Sequence, residues 1–205
     1  MKVINRAGVS LDVSYDEIKQ RIARLCDAGM LSPKTGIDID RVVIQTINGI
    51  YDGISTAELD DLSARICASL QSVHHLYDAL ASRILVSNIA KNVRKRLADA
   101  GFADSFSGKT GYTAAHAEST LAPGYVAFVA EHAAELDACM RYERDAENHS
   151  YFSLRTLERS YLMRVGGQCV ETPQVTFSLR NKSRGVSPPL GGGGLSLGTC
   201  WEAKA

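Results

Sequence analysis

Apolar residues along this chain recur first with the two-residue period of strands and then with the 3.6-residue period of helices. Val3 and Ile4 open a short apolar run, Arg6-Ala7-Gly8 supplies a turn, and Leu11 and Val13 alternate on the return, so residues 1–13 are predicted to form a β-hairpin. Ser14-Tyr15-Asp16-Glu17 then has the form of a capping box. It precedes Ile18, Ile22, Leu25 and Cys26 at helical spacing, and Gly29, Pro33 and Gly36 break the chain after them. A second helix is predicted from about Asp40, with Val43, Ile44, Ile47, Ile50 and Tyr51 inward, ending at Gly53. Ser55-Thr56-Ala57-Glu58, another capping box, opens a third helix striped by Leu59, Leu62, Ile66 and Leu70. A fourth runs from about Tyr77 to Ala100 with Leu80, Ile84, Leu85, Ile89 and Val93 inward. Lys91, Arg94, Lys95 and Arg96 lie toward its far end, where cations suit a helix C-terminus.

One hairpin and four amphipathic helices joined by short loops imply a mainly α fold, a compact bundle over residues 1–100. Residues 101–118 contain a stretch rich in Gly, Ser, Thr and Ala and read as a linker. Helical signals return within 119–174, from about Gly124 to Met140 and from Leu154 to Leu162 behind Tyr151-Phe152. Residues 175–205 lack periodicity, contain Pro188-Pro189 and four consecutive glycines, and read as a disordered tail. Gly191 to Gly194 do not make a phosphate loop, since no clear strand precedes them and no Lys-Ser/Thr or helix follows.

Composition narrows the function. Of 205 residues, 23 are Lys or Arg and 23 are Asp or Glu, so no global field draws the chain to nucleic acid or an anionic membrane. No stretch approaches the ~20 apolar residues of a membrane helix. The N-terminus has no signal-peptide pattern, and a cytoplasmic location is expected. The five cysteines, Cys26, Cys67, Cys139, Cys169 and Cys200, are odd in number and form no CxxC. Neither a zinc site nor a disulfide framework is implied. Cys26 and Cys67 fall on apolar helix faces and read as buried thiols.

Four blocks resemble the large subunit of class I, eukaryotic-type ribonucleotide reductase, the enzyme of ribonucleoside diphosphates. VINRAGVSLDVSYDEIKQRIARLC is similar to the opening of its ATP-cone, a β-hairpin capping a four-helix bundle. YDGISTAELDDLSARICASL and YDALASRILVSNIAKNV are similar to two further cone blocks. YERDAENHSYFSLRTLERSYLMRVGGQCVETPQ is similar to the segment leading into the catalytic barrel, and separates a reductase from other carriers of the cone. The resemblance covers residues 1–174.

It implies an allosteric site for ATP or dATP built from Asn5, Arg6, Leu11, Asp12, Val13, Ser14, Tyr15, Asp16, Glu17, Thr56, Asp60 and Lys91. A helix N-terminus offers free amides and a positive dipole to an anion. Arg6 would add a charge-assisted hydrogen bond to phosphate, Leu11 through Glu17 would wrap the nucleotide, and Thr56 and Asp60 would meet the base. Each residue also has a plainer reading: Arg6 as an exposed hairpin arginine, Thr56 and Asp60 as helix-start residues, Lys91 as a solvated lysine. Tyr15 either stacks on a base or staples the helix to the core, and the core is the expectation.

The chain departs from the family at Asn5, Ala7 and Glu17, where the family commonly has lysine, aspartate and lysine. Glutamate for lysine changes the local charge by two units. At about 5 Å and an effective dielectric near 20, each unit interaction with a phosphate charge is roughly 3 kcal/mol before screening. Triphosphate binding is therefore expected to be weaker by roughly tenfold or more.

The resemblance further implies large-subunit self-association and a small radical-generating subunit as partners. None of the five cysteines matches a family catalytic position, so no catalytic or metal-binding residue is expected, nor nucleotide reduction by this chain alone. After Pro173-Gln174 the similarity ends. A Gln-Val junction is encodable as CAG-GTN, with a splice-donor-like GT, and the tail is expected to be translated intron or frameshifted sequence. Two readings follow: an N-terminal reductase fragment, or a non-catalytic cone module that binds nucleotide or the full-length subunit.

Overall fold

A computed structural model of the chain describes residues 2–27, 36–99, 127, 131, 144–165 and 167–176. Residues 1–96 and 142–173 form one compact unit, and residues 97–141 with 174–205 form a second. The predicted linker, most of the predicted helix over 124–140 and the tail beyond residue 176 lie outside the described residues. Ala127 and Glu131, from that helix, are helical.

The hairpin forms as read, from β1 (Lys2–Ile4) and β2 (Ser10–Asp12), paired Lys2 to Asp12, Val3 to Leu11 and Ile4 to Ser10. Asn5 organises its turn. The Asn5 side-chain carbonyl accepts from the amides of Ala7 and Val9, both at 2.9 Å, and Gly8 takes the left-handed φ of 81° that the reversal requires. A third strand, β3 (Ile54–Ser55), pairs parallel to β1 and makes β1 the centre of the sheet. Two residues are too short to show a period, so the hydrophobic pattern did not reveal this strand.

Helix α1 (Tyr15–Asp27) starts at the predicted capping box: Glu17 N donates to Ser14 Oγ and Ser14 N donates to Glu17 Oε2, each at 3.2 Å. Its C-terminal carbonyls of Leu25 and Cys26 accept from Nη1 of Arg83, 3.0 and 3.3 Å away. Helix α2 spans Ile39–Asn48 behind the N-cap Asp38 and stops at Gly49, before the predicted Gly53. Its inward face is Val42, Val43 and Thr46, whereas Ile44 and Tyr51 are exposed, against expectation. Thr46 can be buried because its hydroxyl donates to the Val42 carbonyl at 2.8 Å.

Helix α3 (Thr56–Ser69) buries Leu59, Asp60, Ser63, Ala64 and Cys67, with Leu70 closing the stripe in a following 3₁₀ turn. Leu62 and Ile66, predicted inward, are half-buried. Small residues occupy the inner face instead, which brings α2 close enough that a Cβ on Gly49 would sit 3.1 Å from Leu62 Cδ2. Helix α4 (Leu76–Asp99) carries the longest run of core, with Tyr77, Leu80, Ala81, Ile84, Leu85, Ile89 and Val93 all buried. Cys26 and Cys67 are buried as expected, and burial, with Cys26 adding to it, pushes the Cys67 thiol well above its ordinary value.

The later segment contributes α5 (Arg144–Glu147), α6 (Tyr151–Thr156) capped by Ser150, and a widened π turn over Leu157–Tyr161. A hairpin of β4 (Arg164–Val165) and β5 (Gln168–Cys169) follows. The sequence placed this helix at Leu154–Leu162; the Ser150 hydroxyl, which accepts from Ser153 N, starts it three residues earlier. Arg155 ties the segment to α3 through an ion pair with Asp61, and the Tyr151 amide donates to Asp78 of α4 at 3.3 Å. Among the described residues no helix is long and apolar enough to cross a membrane.

The α3 capping box supplies a pH prediction. Glu58 accepts from the Ser55 amide and hydroxyl, and the first of these bonds does most to hold its carboxyl below the usual range. A depressed folded-state pKa contributes stability above the unfolded value, lost as pH falls through the folded one. The stability gap between wild type and Glu58→Gln, read by urea denaturation, should therefore be full at neutral pH and close toward acid. A gap constant from neutral to strongly acid pH would refute the assignment.

Candidate functional site

Between the hairpin, α1, α3 and α4 lies a cavity of about 650 Å³. Its chemistry is organised by one residue, Asp60, whose side chain is 2% exposed. Three cations from three elements converge on this carboxylate. Arg6, just past β1, places Nη2 3.2 Å from Oδ2; Lys91 of α4 places Nζ 3.6 Å from the same oxygen; Arg21 of α1 pairs with Oδ1.

A carboxylate is tolerated at this depth because charge and hydrogen bonds surround it. Three positive groups meet one negative group at Asp60, while Asp12 and Glu17 also line the cavity, so its charged lining side chains balance in number.

Arg6 is fixed further. Its Nε donates to Asn92 Oδ1 at 2.9 Å, its Nη2 to Asn88 Oδ1 at 2.6 Å, and its Nη1 reaches Thr56 Oγ1 at 3.5 Å. Asn88 is itself anchored by donating to the Ala57 carbonyl at 3.1 Å. The plainer reading of Arg6 as an exposed hairpin arginine is thus excluded. Arg21 is less satisfied: Nε is buried and makes no hydrogen bond. Burial lowers the pKa of Arg21, with Asp60 opposing. Burial also lowers that of Lys91, opposed by Asp60 and aided by the positive charges of Arg21 and Arg6.

The cavity collects most, but not all, of the residues singled out in the sequence. Asn5, Arg6, Leu11, Asp12, Val13, Glu17, Thr56, Asp60 and Lys91 line it; Ser14, Tyr15 and Asp16 do not. Tyr15 is neither in the core nor facing the cavity. It is 37% exposed and donates to Asp40 Oδ1 at 2.6 Å, which raises its pKa, while Lys19 holds the same oxygen at 2.7 Å. Thr56 and Asp60 are not free to act only as helix-start residues, since both contact Arg6.

Sequence reasoning missed Arg21, Asn88 and Asn92. Arg21 stands one residue before the buried Ile22, on the edge of the apolar stripe, where an arginine stem is read as solvated. Asn88 had a signal, a polar amide beside the buried Leu85 and Ile89 of α4.

This mainly α unit gathers three cations in a cavity beside a helix start, and residues 1–92 match the ATP cone domain, a nucleotide-binding allosteric domain. Over 85% of its length the chain is homologous to the N-terminal part of ribonucleoside-diphosphate reductase large subunits. It is 37% identical over 175 residues to the large subunit of Plasmodium falciparum and 37% over 174 residues to large chain 2 of Saccharomyces cerevisiae. It is 34% identical over 174 residues to the vaccinia virus large subunit. The chain spans about a fifth of the length of these curated relatives: 21%, 19% and 22% respectively.

Proposed function

We propose that this chain is the N-terminal regulatory part of a reductase large subunit, and that its cavity takes an adenine nucleotide, ATP or dATP, as allosteric effector. The observation that carries the reading is the Asp60-centred cation cluster on the floor of a nucleotide-sized cavity, within a domain of the ATP-cone class.

Arg6, Arg21 and Lys91 are the anion-binding groups of the site. Thr56 and Asp60 offer oxygens beside them, and Val3, Leu11, Val13, Ile18 and Leu59 supply an apolar wall suited to a base. Large-subunit copies and the small radical-generating subunit are the proposed readers of occupancy.

The effector is held weakly. The Asn5 carbonyl is engaged in the hairpin turn and brings no positive charge, and Glu17 presents a carboxylate to the cavity. Titration calorimetry of ATP and dATP into the full chain should give an affinity weaker than micromolar. Asn5→Lys combined with Glu17→Lys should tighten it by roughly tenfold or more. Sub-micromolar binding by the wild type would overturn the weakening; silence from both proteins would remove the cavity as a nucleotide site.

A further inference from the structure

The segment from Arg144 to Glu171 grips the two helices that carry Thr56, Asp60, Asn88, Lys91 and Asn92. On α3 the grip is Arg155. Its Nη2 pairs with Asp61 Oδ1, its Nη1 donates to Glu158 Oε2 at 2.7 Å, and its Nε donates to the Tyr151 hydroxyl at 3.1 Å. With its side chain 19% exposed and every edge of the fork engaged, this guanidinium is fixed in place. On α4 the grip is Asp78 in the first turn, whose Oδ1 accepts from the Tyr151 amide at 3.3 Å. Leu154, between the two attachments in sequence, is fully buried.

Neither Asp61 nor Asp78 lines the cavity. What joins this grip to the cavity is the order of residues on α3. Asp60 and Asp61 are successive, and successive helical positions diverge by about 100° with a rise of about 1.5 Å. One carboxylate therefore meets Arg6, Arg21 and Lys91, while its neighbour meets Arg155 and, at 3.3 Å, the Nε of Arg65. A helical turn held at Asp61 is also held at Asp60 and at Thr56 one turn earlier.

We propose, resting on the reading of the cavity as an ATP or dATP site, that Arg155 is a positioning residue for it: by clasping Asp61 it sets the first turns of α3, and so couples nucleotide affinity to the docking of residues 144–171. A site arranged before its ligand arrives binds it more tightly than one that must be ordered on binding. Equilibrium coupling is also reciprocal, so nucleotide in the cavity strengthens the hold on residues 144–171 by the same factor. The segment that senses occupancy is thereby named, together with the side chain that connects it.

The test is titration calorimetry of millimolar ATP and dATP into the full chain, with thermal melts to set a temperature at which each variant is folded. Arg155→Gln and Asp61→Asn should each weaken binding by about fivefold or more, and the double variant should lose little beyond either alone. Arg155→Lys, which keeps the charge without the fork, should lose less than Arg155→Gln. Arg65→Gln, which removes only an exposed partner of the same carboxylate, should leave affinity unchanged. A second readout uses the unaltered protein: saturating ATP should slow hydrogen exchange at the Tyr151 amide, and should not do so in Arg155→Gln.

The signs separate clasp from field. Acting through charge alone, loss of a cation would weaken nucleotide binding and loss of an anion would strengthen it, so tighter binding by Asp61→Asn would overturn the proposal. Affinity unchanged in Arg155→Gln, or Tyr151 exchange indifferent to ATP in the wild type, would reduce Arg155 to a structural role and leave the nucleotide site intact. No binding of ATP or dATP to the wild type would overturn both this proposal and the reading beneath it.

Discussion

Replacing Asp60 by asparagine should destabilise the domain by about 3–5 kcal/mol, because it removes the negative partner of three converging cations and leaves them crowded. Asparagine keeps the shape of the side chain, so little of the loss comes from packing. At about 4–8 °C per kcal/mol for a domain of this size, the melting temperature should fall by about 12 °C or more. The repulsion that follows has a signature of its own. Adding Arg21→Gln to Asp60→Asn should recover part of the loss, whereas Arg21→Gln alone should be destabilising, since it removes a partner from a buried carboxylate. The two changes should therefore be non-additive by about 1 kcal/mol or more in a double-mutant cycle. Additive effects, or a fall in melting temperature of only a degree or two in Asp60→Asn, would mean that the cluster is not an energetic unit.

The second large effect is expected in α4. Leu80 is fully buried, and truncating it to alanine should cost about 2–5 kcal/mol through lost burial and the cavity left behind. Urea denaturation should show a lower midpoint with an unchanged slope. Ile44→Ala is the matched contrast. Ile44 is as apolar as Leu80 and lies within α2, yet it is 52% exposed and should change stability by no more than about 0.5 kcal/mol. Equal losses at the two positions would show that the α2 register described above is wrong.

That contrast also explains which elements were legible in the sequence. Helix α4 was readable because large aliphatic residues mark its inner face, and Leu80, Ile84, Leu85, Ile89 and Val93 are all buried where the period placed them. Helices α2 and α3 were readable as helices but not in their facing. Their inner sides hold Thr46, Ser63, Ala64 and Cys67, which a count of large apolar residues ignores, so the predicted stripes drifted toward Ile44 and Leu62. The capping boxes at Ser14 and Ser55 were legible because they are local, four consecutive residues bonding one another.

The ion-pair cluster is the opposite case. Asp60 reads locally as an acid near a helix start, and its burial depends on residues 39 and 54 positions earlier in the chain and one 31 positions later. No pattern of period two or 3.6 encodes a meeting of that kind.

The central position of β1 bears on how the protein is made. Within this unit β1 leaves the ribosome some fifty residues ahead of its parallel neighbour β3, and the Asn88 that steadies Arg6 follows 82 positions behind that arginine. At about 5–20 residues per second, the nascent hairpin waits several seconds with one edge unpaired before α3 and α4 arrive to receive it. The sheet can close once β3 has emerged, but the cavity is complete only when Lys91 of α4 follows, so a strand made early in this unit waits for partners drawn from most of the unit's length.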